Sequence, residues 1–408
     1  MAQLSDDCFA FGGKLRSVDA ALALIARAVS CTQATERVAL LDADGRVLAE
    51  DIAAPIDLPP FANSAVDGYA VRLADVGAGV MPVQGRLAAG QRAGALTSGT
   101  AQRIFTGAAL PAGADTVFMQ EDVQTGPDGV RLPPGLRLGA NTRRAGEDVA
   151  AGAPALRAGT RLRPQDVALA AALGLRSLPV RARVRVGLFS TGNELVDPGQ
   201  ALGPAQRYDS NRVLLAAMAR RAGADITDLG ILPDRQPAIA AALAEAARGH
   251  DLLLTSGGVS AGEEDHVRDA VAAAGRLVFW RLAIKPGRPV AMGEVAGVPF
   301  LGLPGNPVAA FVTFATVARP MLDAIGGATP ACPPALPVPA AFSYRKKPGR
   351  REYVRVRLQD GQAHKHPVEG AGILTSLTAT DGLAQIGDDV TEVAPGDAVG
   401  YLGYADLL

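Results

Sequence analysis

Hydrophobic and polar positions change period three times along this chain. From residue 17 to 30, SVDAALALIARAVS sets apolar residues three or four apart behind Ser17, which predicts an amphipathic helix with Ser17 as its N-cap. Between residues 50 and 150 that period is lost. Short apolar runs such as VMPVQGRL, RIFTGAAL and DTVFMQEDV are cut by Pro and Gly, the pattern of a β-rich module with long loops. RPQDVALAAALG (163–174) restores the helical spacing, with Pro164 in the first turn and Gly174 at the end.

From about residue 181 short apolar runs alternate with helical ones. RVRVGLFSTG, ADITDLGIL, DLLLTSGG and VPFLGLPG read as strands. SNRVLLAAMARRAG reads as a helix capped by Ser210 or Asn211 and closed by Gly223. PAIAAALAEAARG, EDHVRDAVAAAG and the long run that starts at Asn306 and Pro307 are further helices. This order predicts a mainly parallel sheet covered on both faces, with ligands outside the carboxyl ends of its strands. The loops of interest are therefore STGNEL, LPDRQ, TSGGVSAGEED and LPGNP. GGATPACPPALPVPAAF (326–342) is a stiff Pro-rich connector. Beyond it, REYVRVRL places Val354, Val356 and Leu358 on one face and Tyr353, Arg355 and Arg357 on the other, and with GLAQI and DAVGYLGY predicts a small all-β domain.

Charge alters this picture locally. With 40 basic and 41 acidic side chains the chain lacks the basic excess of a general nucleic-acid binder. Two runs are nevertheless basic, RLAIKPGR (281–288) and YRKKPGRR (344–351), each beside a Pro-Gly turn: either solvated faces or an anion site. Cys8, Cys31 and Cys332 are too scattered for a disulfide framework or a zinc ribbon and read as free thiols. The N-terminus MAQLSDDCFAFGGK shows no apolar signal-peptide core, no run reaches the uninterrupted apolar length of a membrane span, and a soluble cytoplasmic protein is expected.

Three acids follow three strands: Glu194, Asp234 and Asp265. Each is either a loop cap or a ligand for Mg2+, which prefers few carboxylates together with waters and phosphates. Gly257 and Gly258 precede Asp265, so their amides would take a phosphate while the acids hold its cation. Pro304-Gly305-Asn306-Pro307 is a good helix start, and a ligand site only if its amides face the same ligand. FANSAVDGYAVR and NTRRAGEDVAAG are either turn and ion-pair segments or parts of a site. His250, His266, His364 and His366 have no metal-ligand spacing.

Together, PPFANSAVDGYAVR, RIFTGAALPAGADTVFMQED, NTRRAGEDVAAG, FSTGNELV, LTSGGVSAGEEDH, FWRLAIKPGRPVAMG, LGLPGNPVAAFVTF and PGRREYVRV resemble the molybdopterin molybdenumtransferase family, to which the C-terminal domain of gephyrin is also related. The resemblance implies a multidomain α/β plus β protein. Its expected parts are a helical linker domain (1–50 with 146–180), a β-rich lobe (51–145), a three-layer molybdopterin-binding α/β domain (181–327) and a C-terminal β-barrel (335–408). It further implies a homodimer with the active site between subunits. The family takes adenylylated molybdopterin and molybdate, releases AMP with Mg2+ and inserts the metal at the dithiolene.

On this resemblance the catalytic positions are Asp67, Thr106, Asp148, Glu194, Asp234 and Asp265, the last three holding Mg2+. Substrate would meet Ser256, Gly257, Gly258, Ser260, Lys285, Arg288, Pro304, Gly305, Asn306 and Pro307, with Arg350 and Arg355 as anion contacts from the barrel. Three residues depart from the family pattern: Asn193 for Asp, Arg281 for Lys and Ala371 for Ser. Partners implied in the same way are the molybdopterin adenylyltransferase and molybdoenzyme maturation factors, with no nucleic acid and no membrane. The alternatives are a gephyrin-like scaffold without catalysis, or another nucleotide- or molybdopterin-binding enzyme. NSAVDGYA and the C-terminal domain favour the transferase over an enzyme made of the α/β domain alone.

Overall fold

The computed structural model describes residues 15–259, 266–329 and 334–407. Cys8, Ser260, Asp265 and Cys332 lie outside the described residues. The first helix, Val18–Ala28, is capped as expected, with Ser17 Oγ accepting from the Ala20 amide at 3.2 Å. It buries Val18, Ala21 and Ile25 against the helical run of 307–325. Thr35–Ala39 pairs antiparallel with Ser177–Arg181, and Leu48, Leu162, Leu178 and Val180 form a shared core with the helix Pro164–Ala172. Chain segments on either side of the β-rich lobe therefore make one unit.

The lobe itself carries a four-stranded sheet in the order Val83–Leu87, Ala101–Ile104, Gly68–Val71, Thr116–Met119. Gly68 sits where a Cβ would lie 1.8 Å from the carbonyl oxygen of Phe118 on the neighbouring strand. A backbone oxygen cannot swing aside, so Gly68→Ala must part the two strands. The expected cost is about 3 kcal/mol, read as a shift of the urea midpoint; a loss below ~0.5 kcal/mol, the range of neutral surface changes, would contradict the packing.

The α/β domain has six strands in the order Asp225–Leu232, Arg185–Thr191, Leu252–Ser256, Val298–Leu303, Pro289–Val295, Gly275–Arg281. The first four are parallel, as the alternation of strands and helices predicts, and the last two are antiparallel. Strand alternation divides its apolar residues between two layers. Val186, Leu188, Leu252, Leu254 and Leu301 pack with Leu215, Phe311 and Val312; Phe189, Leu253 and Phe300 pack with Ile239, Leu243 and Val267.

One helix cap differs from expectation. Asp209, rather than Ser210 or Asn211, caps the helix Ser210–Arg221, its Oδ1 accepting from the Arg212 amide at 3.1 Å. The run Pro307–Ile325 is, by length and average composition, a helix of 19 residues apolar enough to cross a membrane, although Arg319 and Asp323 interrupt its apolar stretch. It is a core helix, with 78% of its apolar window buried, and a π-helical segment, Phe314–Ala318, interrupts it. Its apolar character answers to neighbours on all sides.

In the C-terminal β domain, Arg351–Gln359 pairs with Gly382–Ile386, which pairs with Ala398–Gly403, which pairs with Leu336–Pro339. The sheet continues into the α/β domain. Ile284–Lys285 runs parallel to Arg351–Gln359, with Ile284 opposite Arg351 and Lys285 opposite Glu352. Val354 and Val356 enter the core of the β domain, whereas Tyr353 joins the core of the α/β domain. Arg355, on the polar face of that alternation, is only 8% exposed. The polar face is a seam between domains.

Candidate functional site

A cavity of about 490 Å³ opens at the carboxyl ends of the parallel strands. Thr191, Glu194, Asp234, Ser256, Gly258 and Pro304 line it. Glu194 Oε1 accepts from Arg207 Nη2 at 2.7 Å, and the Arg207 amide returns a bond to the Glu194 carbonyl at 2.9 Å. Gly257 and Gly258 have φ of +89° and +66°, and a Cβ on Gly258 would lie 2.4 Å from Val267 Cγ2 and 2.5 Å from Thr191 Oγ1. Glycine is thus needed at this turn for both conformation and space. The Gly257 amide donates to the Leu303 carbonyl at 3.0 Å, so of the two amides expected to meet a phosphate one belongs to the sheet instead. Thr191 Oγ1 is buried here without a hydrogen-bond partner among the described residues.

Asn211, expected only as a possible helix cap, joins two of these loops. Its Nδ2 donates to Ser256 Oγ at 2.9 Å and to the Gly305 carbonyl at 2.7 Å. Below it, Arg212 is buried among Asp197, Asp209 and Asp228, which anchors the start of the helix. Asn211→Ala is expected to cost about 1–2 kcal/mol, the penalty for a buried acceptor left without its donor. Faster amide exchange at 256–259 and 304–306 should accompany that loss, and unchanged exchange would remove the clamp from the argument.

Asn306 occupies the N-cap position of the long helix and Pro307 its first turn, but the Asn306 side chain makes no capping bond. The Val308 amide donates to the Ala371 carbonyl at 3.0 Å. A loop of the β domain therefore closes this end of the helix at Val308, so that amide does not meet the condition for an anion site.

A second cavity, of about 440 Å³, lies between the α/β and β domains and shares Arg207, Pro289, Pro304 and Gly305 with the first. Its walls carry Lys285, Arg288, Arg355, Lys365 and His366, against one acid among the described residues, Glu369. Where the sheet mouth is acidic, this chamber is cationic. Strand pairing brings the two basic runs side by side, Ile284 opposite Arg351 and Lys285 opposite Glu352, but of the second run only Tyr344 lines this chamber. Glu352 is 1% exposed; Oε1 accepts from Arg350 Nε at 2.6 Å, and Oε2 accepts from the Tyr344 hydroxyl at 2.6 Å and faces Lys285 Nζ at 3.2 Å. Burial pushes the Glu352 carboxyl up, but the Tyr344 hydroxyl, Lys285 and Arg350 outweigh it and hold the group below the usual range. Burial also raises Tyr344, and the neighbouring carboxylate adds to it.

Arg350 differs from its expected role. It is not among the residues lining the cavity, and its guanidinium bonds Glu352. Arg355 does line the chamber, but its Nε donates to Ser376 Oγ at 3.0 Å and its Nη2 to the carbonyls of Val368 and Gly370 at 3.3 and 3.2 Å, holding the adjoining loop. Its burial lowers its pKa below the ordinary arginine value.

On the β-rich lobe, Asp67 Oδ1 accepts from both the amide and the hydroxyl of Thr106 at 2.8 Å. These bonds, the amide first, hold Asp67 below the ordinary carboxylate range. Asp148 is exposed, and its amide donates to the Leu58 carbonyl at 2.9 Å. None of these three residues lines either cavity of its own chain. Glu194 and Asp234 share the sheet mouth, and among the described residues no group of three His, Cys, Asp or Glu converges on a common point.

Known proteins match nearly the whole of this arrangement. The family model described as "MoeA N-terminal region (domain I and II)" matches residues 16–174, "Probable molybdopterin binding domain" matches 187–324, and "MoeA C-terminal region (domain IV)" matches 337–403. "Molybdopterin molybdenumtransferase 2" of Mycobacterium tuberculosis is 39% identical over 375 residues, covering 88% of this chain and 92% of that protein. The chain belongs to the molybdopterin molybdenumtransferase family. Its relative in Haemophilus influenzae, "Molybdopterin molybdenumtransferase", is 38% identical over 79% of this chain and 80% of its own length. The crystal structure of the molybdopterin biosynthesis moeA protein from Pyrococcus horikoshii OT3 superposes with a TM-score of 0.83 at 31% identity, covering 96% of this chain and all of that one. Both cavities fall within these matches: the family's molybdopterin-binding region supplies the sheet mouth, and its C-terminal region supplies the far wall of the cationic chamber.

Proposed function

We propose that this chain completes molybdenum cofactor by taking adenylylated molybdopterin and molybdate and releasing AMP, with Mg2+ as its metal. The observation that carries this reading is the junction of an acidic cavity and a cationic one at Arg207, Pro304 and Gly305. A phosphoanhydride with its cation and a tetrahedral oxyanion need opposite surroundings within reach of one reacting centre, and two adjoining chambers of opposite charge suit that need.

In this reading Glu194 and Asp234 would hold Mg2+, and the buried Thr191 hydroxyl, with no protein partner among the described residues, supports a polar ligand at the same mouth. The bound cation would neutralise charge on the phosphates. Asp265, expected in the same set, remains part of the proposal from sequence. Asn211 sets the distance between the Ser256 and Gly305 loops, so the substrate enters a preformed mouth. Lys285 and Arg288 attract molybdate into the chamber, and Arg207, shared by both cavities, separates the two substrates' charges. In this reading the dithiolene sulfurs belong to the substrate, and Cys31, the described cysteine, is exposed and lines neither cavity.

Asp67, Thr106 and Asp148 act in this proposal from the partner of a homodimer, whose β-rich lobe would reach the sheet mouth. A cytoplasmic location and contact with the molybdopterin adenylyltransferase and maturation factors belong to the same reading. The relatives carry transferase names, which favours the enzyme over a scaffold. Purified protein supplied with adenylylated molybdopterin, Mg2+ and molybdate is expected to release AMP in a molybdate-dependent manner. Absence of release from an active substrate preparation would sink the reading.

A further inference from the structure

We propose that Glu352 is a positioning residue of the cationic chamber: a buried carboxylate that fixes Lys285 where an incoming oxyanion meets it, directly and through Tyr344. The proposal rests on the molybdenum-insertion reading and adds to it a residue that the motifs did not single out.

Three observations carry it. First, parallel pairing sets Lys285 opposite Glu352, so both side chains emerge beside one another on the same strand pair. Second, burial is divided unequally along the contact. Glu352 is 1% exposed, whereas the Lys285 side chain is 48% exposed and lines the chamber. The carboxylate is the fixed end, and the ammonium is the end presented to a ligand. Third, Tyr344 connects the cations of the wall. Its hydroxyl donates to Glu352 Oε2 and accepts from Lys285 Nζ at 3.1 Å. Its ring has the Lys285 ammonium 5.6 Å and the Lys365 ammonium 5.5 Å from the centroid.

A free lysine must lose rotamer freedom when it grips an anion; here that ordering is done by the fold before the anion arrives. Joining the domains does not require a buried carboxylate behind Lys285. The adjacent Arg351 already links elements elsewhere, bonding Asp19 at 2.8 Å and Asp388 at 3.3 Å.

The test is calorimetric titration of the purified full-length chain with molybdate alone, beside the molybdate dependence of AMP release. Glu352→Gln keeps the shape but loses the charge. It is expected to weaken molybdate binding roughly tenfold, the effect of one lost charge-assisted contact. The KM for molybdate should rise in step, and kcat at saturating molybdate should stay within about twofold, the pattern of lost ground-state binding. Tyr344→Phe, which removes only the hydroxyl, should give a smaller weakening of the same kind and carries the test should Glu352→Gln fail to fold.

A lower melting temperature with unchanged molybdate affinity in these variants would reduce Glu352 to a structural role and overturn the proposal. An equal fall in kcat with no change in KM would also overturn it. Wild-type protein that neither binds molybdate nor releases AMP would instead overturn the underlying function, and that result is read before any variant is made.

Discussion

Glu194→Ala is expected to lower molybdate-dependent AMP release by roughly 10²-fold or more, the scale of losing one electrostatic contact at a reacting phosphate. The fold should scarcely notice. Among the described residues Glu194 has one side-chain bond, to Arg207, and both side chains are substantially exposed. Exposed pairs of this kind contribute about 0–1 kcal/mol. Turnover and stability therefore separate: AMP release collapses while the thermal midpoint moves by no more than a few degrees. Glu194→Gln should behave in the same way, because the role requires charge as well as shape. Full turnover in either variant would remove Glu194 from the site.

The largest expected effect on stability lies across the molecule, at Glu352→Ala. Removing this carboxylate leaves the Arg350 guanidinium and the Tyr344 hydroxyl without their shared acceptor at the seam. Breaking a buried pair from one side costs about 3–5 kcal/mol, here toward the lower figure because Lys285 is half exposed. Urea denaturation near neutral pH measures it.

The pH dependence has a definite sign. The folded Glu352 carboxyl titrates below its usual range, so its contribution is complete above the unfolded value of about 4.3 and is lost as pH falls through the lowered folded one. The gap in stability between wild type and Glu352→Ala should narrow on acidification below that point. A gap that widens would contradict the assigned ion pairing.

Much of the α/β domain could be read directly from the sequence, because its parallel strands are short continuous apolar runs bounded by turn residues. LLLTSGG and FLGLPG could be placed at a sheet mouth without coordinates. The antiparallel strands Gly275–Arg281 and Pro289–Val295 could not, because a Pro-Gly turn and four basic residues interrupt their apolar pattern. No uninterrupted apolar run of membrane-spanning length is expected, and at 307–325 Arg319 and Asp323 do interrupt a helix that is nevertheless apolar enough on average to pass for a span.

Local pattern determined the order of elements, the glycine turn at 257–258, the acids behind strand ends and the presence of two basic runs. Each is a property of neighbours in sequence, and period, turn chemistry and charge all act over a few residues. Tertiary structure alone decided which polar groups are buried and what they meet. Asn211 looks like a helix start until its amide is seen bridging Ser256 and Gly305. Arg350 looks like an anion contact until Glu352 takes it. Glu352 itself reads as one more charge on an alternating strand, and it becomes the buried support behind the cationic wall only because Lys285, 67 positions earlier, pairs opposite it. Burial and strand register depend on contacts between distant segments, so the meaning of a polar residue is settled when those segments pack.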